Sequence, residues 1–92
     1  MHPTKIVLHS VNGYSPAQDS LLTSILDQGI SLFCTFGKDC GRWERAMDTL
    51  CEQKGGQALQ VVTTSHPGET KDDVLSFANQ FPGTGTIELL EV

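Results

Sequence analysis

A glycine, a lysine, an aspartate and a cysteine stand together in "GKDCG", residues 37 to 41, where an apolar run gives way to a helical pattern. A thiol in the first turn of a helix meets unpaired backbone N–H groups and the positive end of the helix dipole, and both favour the thiolate. Lys38 and Arg42 add positive charge, which makes Cys40 a candidate nucleophile. Its partner would be His66, in "TTSHPGE", directly after a strand and before a proline that holds it extended. An imidazole titrating near neutrality serves there as acid, base or ligand. Each residue also has a plainer reading. At about 100° per residue Cys40 falls in the apolar sector of its helix, where buried free cysteine is an ordinary core residue. His66, with Thr64 and Ser65, fits common turn chemistry.

The same glycine-flanked turn is a candidate anion site, because a helix start donates hydrogen bonds and Gly37 and Gly41 allow close approach. "GKDCG" lacks the dinucleotide fingerprint and the phosphate-loop pattern, so Asp39 as a simple helix cap stands beside that reading. A zinc site from His9, Cys40 and His66 lacks any metal-ligand spacing such as CxxC or HxxxH, and neither a metal nor a cofactor is expected. Glu44, Asp48 and Glu52 recur at i, i+4, i+8 and read as a solvated helix face, with Arg45 near enough to Asp48 to relieve repulsion. No local signature of a serine hydrolase or a cysteine phosphatase is present.

Several elements must position these residues. Ile6-Val7-Leu8 is a continuous apolar run suited to a strand covered on both faces. Ser15, Pro16 and Gln18 have the form of a helix start with a capping box, leading into the Leu21, Leu22, Ile25, Leu26 face and a stop at Gly29. "SLFCTFG" reads as a second strand. The second helix has Cys40, Trp43, Ala46, Met47, Leu50 and Cys51 in one sector and closes at Gly55-Gly56. "ALQVVTTS" gives a third strand. Thr70 with Asp73 caps a third helix carrying Val74, Leu75, Phe77, Ala78 and Phe81, stopped by Pro82-Gly83. "TIELLEV" reads as a half-covered edge strand.

This βαβαβαβ pattern predicts a three-layer α/β/α sandwich with a four-stranded, mostly parallel sheet, in the order 2-1-3-4 that puts the first strand inside. Ligands of such sheets lie outside the carboxyl ends of the strands. With that order the crevice gathers Ser10, Asn12 and Tyr14 from the first turn and Thr64, Ser65 and His66 from the third, with Lys38 and Asp39 alongside.

Size and composition bound the rest. Ninety-two residues make one domain, residues 1–92. A net charge of −5 with scattered basic residues argues against a nucleic-acid partner. No apolar run is long enough to span a bilayer or to form a signal-peptide core, and no membrane partner is expected. Three cysteines without paired spacing fit a reducing compartment, and the expected location is the cytoplasm.

The stretch "LFCTFGKDCGRWERAMDTLC", followed by "VVTTSHPGE" and "VLSFANQF", resembles a family of short bacterial cytosolic α/β proteins classed as a domain of unknown function. The resemblance spans about residues 30 to 81. It implies a bacterial cytosolic α/β domain and assigns no catalytic residues. The reading that joins these observations is a non-catalytic binding or accessory domain that uses the carboxyl edge of its sheet for a small anionic ligand or a protein partner. The alternative is a thiol- and histidine-dependent enzyme using Cys40 and His66. The last strand offers an edge for pairing with a second subunit as a homodimer.

Overall fold

The computed structural model describes residues 4–82 and 85–92. Its elements follow the expected alternation: β1 (Lys5–Ser10), α1 (Asp19–Asp27), β2 (Leu32–Gly37), α2 (Cys40–Lys54), β3 (Val62–His66), α3 (Lys71–Gln80) and β4 (Ile87–Glu91), with 3-10 turns over Pro16–Gln18 and Gly56–Gln60. No helix among the described residues is long and apolar enough to cross a membrane.

All strand pairs are parallel, and the order is β3-β2-β1-β4. The expected order 2-1-3-4 is corrected on this point. The reason is visible in side-chain character. The two strands buried along nearly their whole length, β1 and β2, take the interior. The hydroxyl-rich β3 and the glutamate-bearing β4 take the edges, where polar side chains keep contact with water.

The order also dictates the layers. Steps from β1 to β2 to β3 move one way across the sheet, so right-handed crossovers put α1 and α2 on one face; the return from β3 to β4 puts α3 on the other. One core joins Ile6, Leu8 and Phe33 of the sheet to Leu22 and Ile25 of α1 and Trp43 and Met47 of α2. The opposite core joins Val7, Leu32, Cys34 and Phe36 to Val74 and Ala78 of α3. Strand alternation assigns odd residues of β1 and even residues of β2 and β3 to the α3 face.

Local signals held where they were local. Thr70 Oγ1 accepts from the Asp73 N–H at 3.2 Å while Asp73 Oδ2 accepts from the Thr70 N–H at 3.3 Å, a complete capping box. The box expected at Ser15 and Gln18 does not form. There the Gln18 N–H donates to the Ser15 carbonyl at 2.9 Å, closing a 3-10 turn with backbone alone, and α1 begins at Asp19. Residues 58 to 60, expected in the third strand, belong to the second 3-10 turn. Gly83, expected to help stop α3, lies outside the described residues.

One buried cation ties the layers. Lys5 Nζ, at the start of β1, donates to the carbonyls of Ala78 at 2.9 Å and Phe81 at 2.7 Å, where the end of α3 leaves acceptors unpaired.

Candidate functional site

At the carboxyl edge the turn after β1 and the turn after β2 are laced together. The Lys38 N–H donates to the Ser10 carbonyl at 2.8 Å. A Cβ on Gly37, whose φ is 94°, would collide with that same carbonyl, so glycine is needed for the approach. Buried Ser10 Oγ accepts from Trp43 Nε1 at 2.8 Å. Asp39 occupies the N-cap position of α2 in a left-handed conformation, φ 58°, and makes no side-chain cap bond. Its Oδ2 instead accepts from the Tyr14 N–H at 3.2 Å, so the expected cap is a strut between two turns. The Lys38 stem lies against Gly13. Ser10, Tyr14, Lys38 and Asp39 are thus brought together, with exposed Asn12 on the same turn as Tyr14.

The third turn does not join them. With β2 between β1 and β3, the expected crevice between strands one and three does not exist. The point where connections diverge lies between β1 and β4. There the Val92 carbonyl accepts from the Val11 N–H at 2.7 Å and the Asn12 N–H at 3.3 Å, so the chain's own backbone bridges the gap.

Thr64, Ser65 and His66 lie on edge strand β3, and each is engaged. His66 is 7% exposed, with Nδ1 3.0 Å from Glu69 Oε2 and Nε2 2.9 Å from Thr64 Oγ1. An ionised Glu69 only accepts, so Nδ1 donates to it, and Nε2 shares the second hydrogen bond with the Thr64 hydroxyl. Both ring nitrogens are occupied, and the edge of Phe77 from α3 packs on the ring at 4.8 Å. Ser65, on the other face, donates to Glu44 Oε1 at 2.9 Å, and Thr63 donates to Asp48. The acidic row of α2 is therefore a dock for the hydroxyls of β3 at two of its three positions, and Arg45 makes no ion pair with Asp48 among the described residues.

Cys40 is 5% exposed at the start of α2. The Thr35 hydroxyl holds its carbonyl at 2.8 Å on the α1/α2 face, whereas His66 packs against α3 on the opposite face. Among the described residues no hydrogen bond joins Cys40 to His66, whose two ring nitrogens are taken by Glu69 and Thr64. Cys34 and Cys51 are also buried and free. Burial pushes the Cys34 thiol up, opposed by the Thr64 hydroxyl and the Lys5 charge. Burial and then the Asp48 charge push Cys51 up.

A concavity that the sequence did not announce begins beside Tyr14. It is an open trough of about 470 Å³ between the Pro16 turn and α2. Tyr14, Pro16 and Asp19 form one wall; the other is a single face of α2, Arg42, Arg45, Ala46, Thr49, Leu50 and Gln53. The Tyr14 ring rests edge-on against Trp43 at 5.3 Å, and its hydroxyl donates to Asp19 Oδ1 at 2.5 Å. That bond, followed by burial and the Asp19 charge, raises the phenol above its usual range near 10. Among the described residues, neither guanidinium in this trough has a carboxylate within ion-pairing distance, although the chain holds eleven acids and six Lys and Arg. A larger cleft of about 680 Å³ lies at the opposite end, but its cation, Lys54, is already paired with its acid, Asp27. Of the residues expected at the site, only Tyr14 lines the trough. Ala46 and Leu50 belong to the apolar sector of α2 and Arg42 and Arg45 lie outside it, so the trough runs along that boundary.

Fold and trough together define a small parallel α/β domain with a basic, partly apolar surface groove. Within that class, the chain belongs to the family described as a domain of unknown function, DUF7684, whose model matches residues 1–91. No curated protein and no solved structure matches it.

Proposed function

We propose that this is a non-catalytic binding domain that takes an anionic group carried on an apolar body in the trough beside Tyr14. The observation that supports the reading is the pair Arg42 and Arg45, without an ion-pair partner among the described residues, in a chain whose acids outnumber its bases. Arginine presents a planar fork of donors suited to carboxylate or phosphate. Ala46, Leu50 and the Tyr14 ring supply apolar contact beside it. The volume falls within the range of about 300–1,000 Å³ in which small ligands bind. Three buried free thiols agree with a reducing, cytoplasmic setting, the one that the bacterial family resemblance implies.

The test is the affinity for phenyl phosphate by calorimetry, with benzyl alcohol as the uncharged control. Exposed charge contacts contribute about 0.2–1 kcal/mol each, so Arg42→Gln/Arg45→Gln should weaken phenyl phosphate roughly tenfold and leave benzyl alcohol unchanged. Equal affinity for both proteins would remove the reading.

A second observation favours self-association. Thr86 and Val92 turn their backbone groups toward β1, so by the strand period Ile87, Leu89 and Glu91 turn theirs to the free edge. Leu89 is 41% exposed. Antiparallel pairing of two β4 strands about Leu89 sets Ile87 opposite Glu91 and Glu88 opposite Leu90, with no acids facing each other. Sedimentation should show a concentration-dependent dimer that Leu89→Lys abolishes; a monomer at every concentration would sink it.

A further inference from the structure

The shape of the trough restricts what can fill it. From Arg42 to Gln53 the lining face of α2 rises through eleven residue steps, about 16 Å at 1.5 Å per residue. A compact ligand would leave much of such an open channel empty, whereas small-molecule sites usually enclose most of their ligand. An extended peptide advances about 3.3 Å per residue and would cover this length with roughly five residues.

The chemistry along the channel is ordered. Arg42 and Arg45 stand at one end, Ala46 and Leu50 form the middle, and Gln53, whose amide has no partner among the described residues, stands at the other. The centre of the arginine pair and the centre of the apolar pair are separated by four to five residues of helix, about 7 Å along the axis. That is two residues of extended chain, and in an extended chain residues two apart share a face.

We propose that the occupant is a short extended segment of a partner protein, carrying an acidic side chain over Arg42 and Arg45 and an apolar side chain two positions away over Ala46 and Leu50. The inference rests on the anion-binding reading of the trough and deepens it. A net charge of −5 on the domain disfavours uniformly acidic partners, so the motif needs one well-placed acid beside an apolar anchor.

The probes are fluorescein-labelled heptapeptides of glycine and serine bearing one glutamate and one leucine, at separations of one, two and three positions and in both orders. Fluorescence anisotropy should show the two-position spacing binding at least fivefold tighter than the others. Replacing its glutamate by glutamine, or the protein by Arg42→Gln/Arg45→Gln, should weaken it roughly tenfold. Far-ultraviolet circular dichroism checks that the variant is folded, which two exposed arginines should allow. Equal binding at all spacings, or none at any, overturns the inference. Phenyl phosphate is titrated on the same samples: if it binds and the peptides do not, the peptide inference fails while anion binding stands. If neither binds, both fail.

Discussion

Lys5→Met removes the ammonium that closes the end of α3 while keeping nearly the same apolar stem and volume. Two hydrogen bonds from a charged donor are lost, each contributing about 1.5–3 kcal/mol, and two carbonyls are left facing an apolar side chain. Removing the charge also removes its own desolvation penalty, which offsets part of the loss. The expected net destabilisation is about 2–4 kcal/mol, a large part of the roughly 5–10 kcal/mol available to a domain of this size. With about 4–8 °C of Tm for each kcal/mol, melting should fall by at least 8 °C. Urea unfolding followed by the buried indole of Trp43 measures it. Amide exchange should also quicken in the last turn of α3 before it does in β2. A variant within 0.5 kcal/mol of the parent would refute the assignment of this lysine as a structural tie.

Two further predictions concern the single phenol and the three buried thiols. Tyr14 is the only tyrosine, and a phenol raised above 10 holds its proton more tightly folded than unfolded. Its contribution to stability is complete below pH 10 and is lost as pH rises through the folded value, so absorbance at 295 nm should titrate above 10 in the native protein and at lower pH in Asp19→Asn; identical titrations would contradict the bond. The buried thiols of Cys34, Cys40 and Cys51 should resist a disulfide reagent at pH 8 until denaturant unfolds the chain. Fast native labelling of Cys40 would restore the thiol chemistry that its burial argues against.

The sequence was most legible where the determinants are local. The Thr70–Asp73 box, the inward cysteines of α2 and the four-strand, three-helix alternation each depend on residues a few positions apart. Strand order was not legible because it compares strands: the second is as apolar as the first, and only that comparison sends β3 to the edge. Asp39 looked like a cap because its neighbours suit one; its partner, the Tyr14 N–H, is 25 residues away. Lys5 carries no local sign of its role, because its acceptors are more than seventy residues distant. The trough was hidden for the same reason, since neither Tyr14 nor the arginines mark a site until the fold sets them face to face. One signal was available: Thr63 and Ser65 alternate on one face of a strand while Glu44 and Asp48 recur on one face of a helix, a match that foretells their docking.

Nuclear magnetic resonance of the uniformly nitrogen-15-labelled protein during a phenyl phosphate titration tests the central claim most directly. The account predicts saturable shifts of the Arg42 and Arg45 side-chain Nε–H signals and of the Tyr14 and Ala46 amides, with His66 and Thr64 unmoved. Shifts centred on His66 and the β3 turn, with the two arginines silent, would contradict it.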